Sequence, residues 1–187
     1  MLSSLTAQPK DKILALVGAY RADPRQDKID LGVGVYKDST GSTPIMRAVK
    51  SAEKLLWQVQ ETKSYVGLAG DPAFSAAMYE LVLGGAVAAD RLSAVATPGG
   101  TGAVRQALEL IKIASPTARV WLPNPTWPNH PSIINYLGMP LAEYHYFNSQ
   151  TGEVDFKGML ADIKAIPAGD IVLLHGCCHN PTGALSL

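Results

Sequence analysis

The strongest constraint on the fold is an order of elements that sets in at about residue 90: an apolar run, a turn rich in glycine and proline, then a segment of helical period. Residues 92–97 read as a strand running into Pro98-Gly99-Gly100-Thr101-Gly102, and residues 103–114 as the helix that follows. Residues 119–122 read as a second strand, followed by a Pro-rich turn and a short helix over about 131–137. Residues 141–147 read as a third strand. Asp155 caps a helix bearing Met159, Leu160 and Ile163, and the strand 171–174 leads into residues 175–183. Strands alternating with helices at this spacing predict an α/β fold, a mostly parallel sheet with flanking helices. Ligands in such sheets bind at the carboxyl ends of strands, where the unusual turns of this chain fall.

The first ninety residues carry different signals. The first ten have no clear period and read as an arm. Ile13, Leu14, Leu16, Val17 and Tyr20 mark a short helix that ends near Asp23-Pro24. Ile29, Leu31, Val33 and Val35 alternate as a short strand would, with Gly32 and Gly34 leaving room for close approach to that backbone. Thr43-Pro44 is a helix-start signal, and Ile45, Val49, Ala52, Leu56 and Val59 form one apolar stripe behind it. Asp71-Pro72 repeats the signal ahead of Phe74, Met78 and Leu81, until Gly84-Gly85.

Composition narrows the function. The 16 basic and 16 acidic residues cancel, leaving no electrostatic footprint for nucleic acid. Charged residues make up 17% of the chain, against roughly 25% in ordinary soluble domains, which suggests surface meant to be covered. No run approaches the roughly 18 apolar residues a membrane span needs, and Met1-Leu2-Ser3-Ser4-Leu5 is no secretory signal. Cys177 and Cys178 are adjacent, poor geometry for an ordinary disulfide, so a reducing cytoplasm is the simplest location. Leu187 falls too soon after the last turn for a covering helix, which would leave a sheet face and edge open; the expectation is an incomplete fold.

Three segments carry chemistry. In Pro98-Gly99-Gly100-Thr101-Gly102-Ala103, glycines between strand and helix free backbone N–H groups at the positive end of the helix dipole, as a phosphate site requires. Neither dinucleotide fingerprint nor Walker loop fits, because Arg105 stands where the third glycine belongs and no glycine-lysine pair follows. An ordinary tight turn reads equally well. In Asn124-Pro125-Thr126-Trp127-Pro128-Asn129-His130, two prolines stiffen a loop that presents one indole, suited to stacking on a planar heterocycle or to plugging a core corner. In residues 175–183, His175, Cys177, Cys178 and His179 invite a zinc reading, but adjacent cysteines and the missing two-residue ligand spacing argue against any metal. Asn180-Pro181-Thr182-Gly183 reads as a rigid turn holding the Asn180 amide in place; His175 reads as functional or as a satisfied core histidine.

These segments, together with Leu31-Gly32-Val33-Gly34-Val35-Tyr36 and Ser64-Tyr65-Val66-Gly67, resemble in order the class I aminotransferases, pyridoxal-phosphate enzymes of fold type I, most nearly the bacterial aspartate and aromatic amino acid group. The resemblance covers nearly the whole chain and a little under half of a full-length member. It implies residues 1–40 as an N-terminal arm and part of the small domain, and residues 41–187 as the N-terminal half of the large cofactor domain, truncated there. It implies a homodimer with shared active sites, and transfer of an amino group between an aspartate or aromatic amino acid and a 2-oxo acid such as 2-oxoglutarate.

By that resemblance, Gly100 and Thr101 would hold the pyridoxal 5'-phosphate phosphate, and Tyr65 would reach the phosphate in the neighbouring subunit. Trp127 would stack on the pyridine ring and Asn180 would bond its phenolic oxygen. His130 and His175 would support an aspartate paired with the ring nitrogen. Gly34 would offer an N–H to the substrate carboxylate, with Trp127 and Asn180 also bordering the substrate. Gly99 stands where some relatives carry serine, a departure at one phosphate contact. The Schiff-base lysine, that aspartate and the carboxylate-binding arginine come later in the family's chains, so the 187 residues alone are expected to be inactive. Two alternatives remain: another fold-type-I enzyme such as a carbon–sulfur lyase, or a non-catalytic fragment or binding module of the same fold.

Overall fold

The computed structural model describes residues 12–30, 32 and 34–184. The expected arm, and Leu31 and Val33 of the expected first strand, lie outside the described residues. Contacts divide the chain into two compact units, Met1–Ser64 and Tyr65–Leu187.

The first unit holds helix α1 (Lys12–Ala22) and helix α2 (Arg47–Val59). α1 ends where Asp23-Pro24 predicts, the last amide of the helix run being Asp23 N–H to Ala19 O at 3.1 Å. The expected strand over residues 29–35 does not form among the described residues. Asp30 instead accepts the Gly32 N–H at 3.0 Å and the Lys37 ammonium at 2.6 Å, which bonds the segment to itself rather than to a ladder. Thr43 does not cap α2: its hydroxyl donates to Tyr36 O at 3.0 Å, and the helix starts at Arg47 behind Met46, without a side-chain cap. The helix carries the expected apolar stripe, yet no residue of α2 is buried. An apolar stripe stays exposed where no surface faces it.

The second unit runs through α3 (Pro72–Leu83), α4 (Gly99–Ala114), β1 (Val120–Asn124), α5 (Asn129–Tyr136), β2 (Leu141–His145), β3 (Phe147–Asn148), β4 (Glu153–Val154), α6 (Phe156–Ala165) and β5 (Ile171–Val172). α3 follows its signals, with Asp71 accepting the Ala73 N–H at 2.8 Å and Gly84 closing the helix in the left-handed region. Its apolar residues Phe74, Leu81 and Val82 are nevertheless exposed. Residues 92–97, expected as a strand, form none; the backbone bond that ties them to a distant segment is Ala96 N–H to Ala69 O at 2.8 Å. An apolar run supplies side chains for a strand but not the neighbour that its ladder needs.

The parallel sheet is real and has the order β2-β1-β5, with Val120 opposite both Leu141 and Ile171. β3 and β4 form a separate antiparallel hairpin. The core lies where α4 and α5 meet the sheet: Leu108, Val120, Leu122, Ile133, Ile134 and Met139 are buried together. Asp170 ties the entry of β5 to β1, accepting the Arg119 N–H at 3.0 Å and the Trp121 indole N–H at 2.9 Å. Asp155 caps α6 by accepting the Gly158 N–H at 2.9 Å, as its position predicts. No helix among the described residues is long and apolar enough to cross a membrane.

Candidate functional site

α4 starts at Gly99, four residues ahead of the sequence expectation, so the turn glycines form its first turn. Gly99 has φ +73°, a left-handed conformation in which a serine would be strained. A Cβ at Gly102 would come within 3.0 Å of the Pro98 ring, so glycine allows the turn to pack tightly onto the helix. No side chain caps α4. Its first-turn N–H groups lack intrahelical acceptors and lie at the positive end of the helix dipole. Thr101 is held from the side, its Oγ1 accepting the Asn129 amide at 3.3 Å.

Asn129 opens α5, and the next residue, His130, is buried. From here a row of rings crosses the unit. Trp127 meets His130 edge-on with centroids 5.3 Å apart, and His130 meets His175 edge-on at 5.2 Å. His175 stacks on His179 at 4.3 Å, and His179 on Tyr146 at 4.1 Å. Each histidine has its Nδ1 engaged: His130 by the Thr126 hydroxyl at 2.8 Å, His175 by the Asn180 N–H at 3.3 Å, His179 by the Thr182 hydroxyl at 2.8 Å. Burial pushes the His130 pKa down to about 4, helped by the nearness of His175 and His179. Burial lowers His175 as well, and burial followed by His175 lowers His179. All three are therefore neutral at neutral pH.

A cavity of about 320 Å³ opens against this row, lined by Val104, Trp127, His130, Leu173, His175, Cys177 and Asn180 among others. One wall is the indole, one the leucine pair that follows β5, and one the turn that carries Asn180. Val104 lies one turn along α4 from Gly100, which brings the uncapped helix start to the same region.

The profile of the family described as aminotransferase class I and II matches residues 26–186, most of the chain. The chain belongs to this family. It is 59% identical to the aromatic-amino-acid aminotransferase of Paracoccus denitrificans over 98% of its own length and 47% of that protein's. It is 45% identical to the aspartate aminotransferase of Escherichia coli (strain K12), over 98% and 47% respectively. A solved aromatic amino acid aminotransferase with 3-indolebutyric acid superposes with a TM-score of 0.94 at 58% identity, over the whole of this chain and 48% of that one. The aromatic-amino-acid aminotransferase from Burkholderia pseudomallei, covalently bound to pyridoxal phosphate, gives 0.91 at 37% identity over 98% and 47%. The chain matches an N-terminal portion of these class I enzymes and spans about half their length; its fold is that of the fold-type-I aminotransferases.

Within the aminotransferase frame, four residues expected at the site, Trp127, His130, His175 and Asn180, line one cavity. Gly100 and Thr101 stand at the α4 start, joined to α5 through Asn129. Tyr65 is fully exposed in the same unit. Gly34 belongs to the other unit, with open space around its Cα hydrogen. Sequence reasoning missed Asn129, Tyr146 and His179 as site neighbours. His179 follows His175 by four residues, but the segment between them is not helical, and the two rings stack in a turn. Among the described residues, no three His, Cys, Asp or Glu side chains gather to hold a metal.

Proposed function

We propose that these residues hold pyridoxal 5'-phosphate in an enzyme that moves an amino group between an aspartate or aromatic amino acid and a 2-oxo acid such as 2-oxoglutarate. The observation that carries the reading is the single cavity shared by Trp127, His130, His175 and Asn180 beside an uncapped helix start. The donor set fits the cofactor. A phosphate suits the N–H groups of Gly100 and Thr101 and the Thr101 hydroxyl, whose oxygen already accepts from Asn129 and whose proton is therefore left to point elsewhere. A planar ring suits the indole face of Trp127, and an oxygen on that ring suits the Asn180 amide. When bound, the cofactor supplies the electron sink for breaking a bond at the substrate Cα.

The chain's own residues orient and tune. Trp127 and Asn180 fix the ring plane and border the substrate. Neutral His130 and His175 support the aspartate expected at the ring nitrogen without placing positive charge there. Gly34 offers its N–H to the substrate carboxylate, and Tyr65 reaches the phosphate of a second subunit in a homodimer. Residues 1–40 serve as arm and part of the small domain, and residues 41–187 as the N-terminal half of the cofactor domain. By the resemblance, the lysine that moves the proton as general base and acid has no match within these 187 residues, which are expected to be inactive by themselves. Free, adjacent Cys177 and Cys178 suit the cytoplasm. The relatives described above are aminotransferases, which favours amine transfer over the carbon–sulfur lyase and binding-module alternatives.

The test is to assay the full-length protein for 2-oxoglutarate-dependent consumption of aspartate and of aromatic amino acids, with and without added pyridoxal phosphate. Cofactor-dependent glutamate formation is expected. Ammonia and pyruvate from a cysteine-like substrate, with no glutamate, would replace the reading by a lyase.

A further inference from the structure

His179 is 2% exposed and Tyr146 4% exposed, and both are polar residues with a buried atom that has no hydrogen-bond partner among the described residues: Nε2 of His179 and the hydroxyl of Tyr146. Leaving such atoms without partners is costly, so hydrogen bonding at those atoms is not what places these two residues. What they do make is ring contact. His179 lies between Tyr146, stacked at 4.1 Å with planes 17° apart, and His175, stacked at 4.3 Å with planes 29° apart. Beyond His175 come His130 and Trp127, both on the cavity. His179 itself does not line the cavity.

His179 is tied to its own turn. Its Nδ1 lies 2.8 Å from the Thr182 hydroxyl, whose oxygen accepts the Ala184 N–H at 3.1 Å. His175 Nδ1 accepts the Asn180 N–H at 3.3 Å, so a neutral His175 carries its proton on Nε2. The two rings lie face to face, one tied to the residue 182 turn and the other to the cavity wall.

We propose that His179, backed by Tyr146 and oriented by Thr182, is a positioning residue: it holds His175, and through it the His130 and Trp127 wall, in the geometry that receives the cofactor. The inference rests on the cofactor reading above. It assigns no contact between His179 and cofactor or substrate. It predicts that the flat ring at position 179, rather than its nitrogen atoms, carries the effect, because the ring reaches the cavity wall by stacking on His175.

The experiment compares His179→Phe, which keeps a flat ring, with His179→Leu, which removes it, in the full-length protein. Two readouts are taken: pyridoxal phosphate affinity of the cofactor-free protein, and side-chain ¹⁵N NMR of His175 in the same cofactor-free sample. His179→Leu should weaken the affinity about threefold to tenfold, the range typical of an aromatic pair, and turn the single Nε2–H tautomer of His175 into a mixture. His179→Phe should keep both readouts within about twofold of the wild type. Wild-type affinity and an unmixed His175 spectrum in His179→Leu would overturn the proposal, and so would equal losses in the two variants. Should His179→Leu fail to fold, Tyr146→Leu against Tyr146→Phe removes the same support from the far side and is read in the same way. A wild-type protein with no pyridoxal phosphate affinity would sink the cofactor reading alone, since the His175 tautomer still decides the role of His179.

Discussion

Trp127 stands nearly perpendicular to His130, ring centroids 5.3 Å apart and planes at 87°. The edge-on contact braces the indole from one side and leaves a face toward the cavity that both residues line. A platform of this kind binds by area and by stacking. Trp127→Ala should weaken pyridoxal phosphate binding to the full-length protein about threefold to tenfold, from the stacking alone. Trp127→Phe should recover part of the loss. Equilibrium titration of cofactor-free protein checks this; unchanged affinity in the alanine variant would remove Trp127 from the cofactor site.

Thr101 is predicted to act on the phosphate and not on the ring. Thr101→Val keeps the side-chain shape and removes the hydroxyl, so affinity for pyridoxal phosphate should fall about tenfold, as for a lost bond to a charged group. Affinity for pyridoxal, which lacks the phosphate, should stay as in the wild type. Parallel losses for both ligands would mean that Thr101 serves the fold of the α4 start instead.

Acid should destabilise the second unit through its histidines. The His130 pKa lies at about 4 in the folded chain against 6.5 in the unfolded one. Between these values the unfolded chain binds a proton that the folded chain does not, so stability rises with pH across this window and is lost as pH falls from 6.5 toward 4. His175 and His179 shift in the same direction. Denaturant midpoints at pH 7.5 and pH 5 should therefore drop less for His130→Gln than for the wild type. An equal drop would show that His130 does not titrate in this way.

Asp170 offers a test of the sheet away from the cavity. Its carboxyl is held below the usual carboxylate range by the Trp121 indole N–H first and the Arg119 N–H second. A depressed carboxylate contributes stability that is present above its unfolded pKa and is lost as pH falls through the folded one. Asp170→Ala should lower the melting temperature at neutral pH and abolish this acid-dependent part. It should also shift Trp121 fluorescence, because the indole loses its acceptor; an unshifted spectrum would contradict the Trp121–Asp170 bond.

The α/β class and the family resemblance were legible in the sequence because their signals are local. Asp71 and Asp155 cap helices with their own neighbours, and Pro24 stops α1 because it has no N–H. The glycines around Thr101, the indole between two prolines and the Asn180 turn likewise stood out by residue type, each with a purely structural reading beside the functional one until the resemblance joined them. Other readings failed where a local signal had a stronger competitor. Thr43 looked like a cap, but the Tyr36 carbonyl takes its hydroxyl; residues 92–97 read as a strand, but among the described residues no neighbour completes a ladder.

The helices and the turns that flank them follow from short-range signals in the chain, and so does the family resemblance. That β1 lies between β2 and β5, that α4 begins at Gly99, and that Trp127, His130, His175, His179 and Tyr146 form one row of rings emerges with the folded chain. The difference is one of separation. Caps, turns and helical stripes arise between residues a few positions apart, whereas strand order, the meetings of His130 with His175 and of Tyr146 with His179, and the burial that keeps three histidines neutral depend on segments far apart in the chain. No local pattern encodes those meetings; they exist once the sheet has brought its strand ends together.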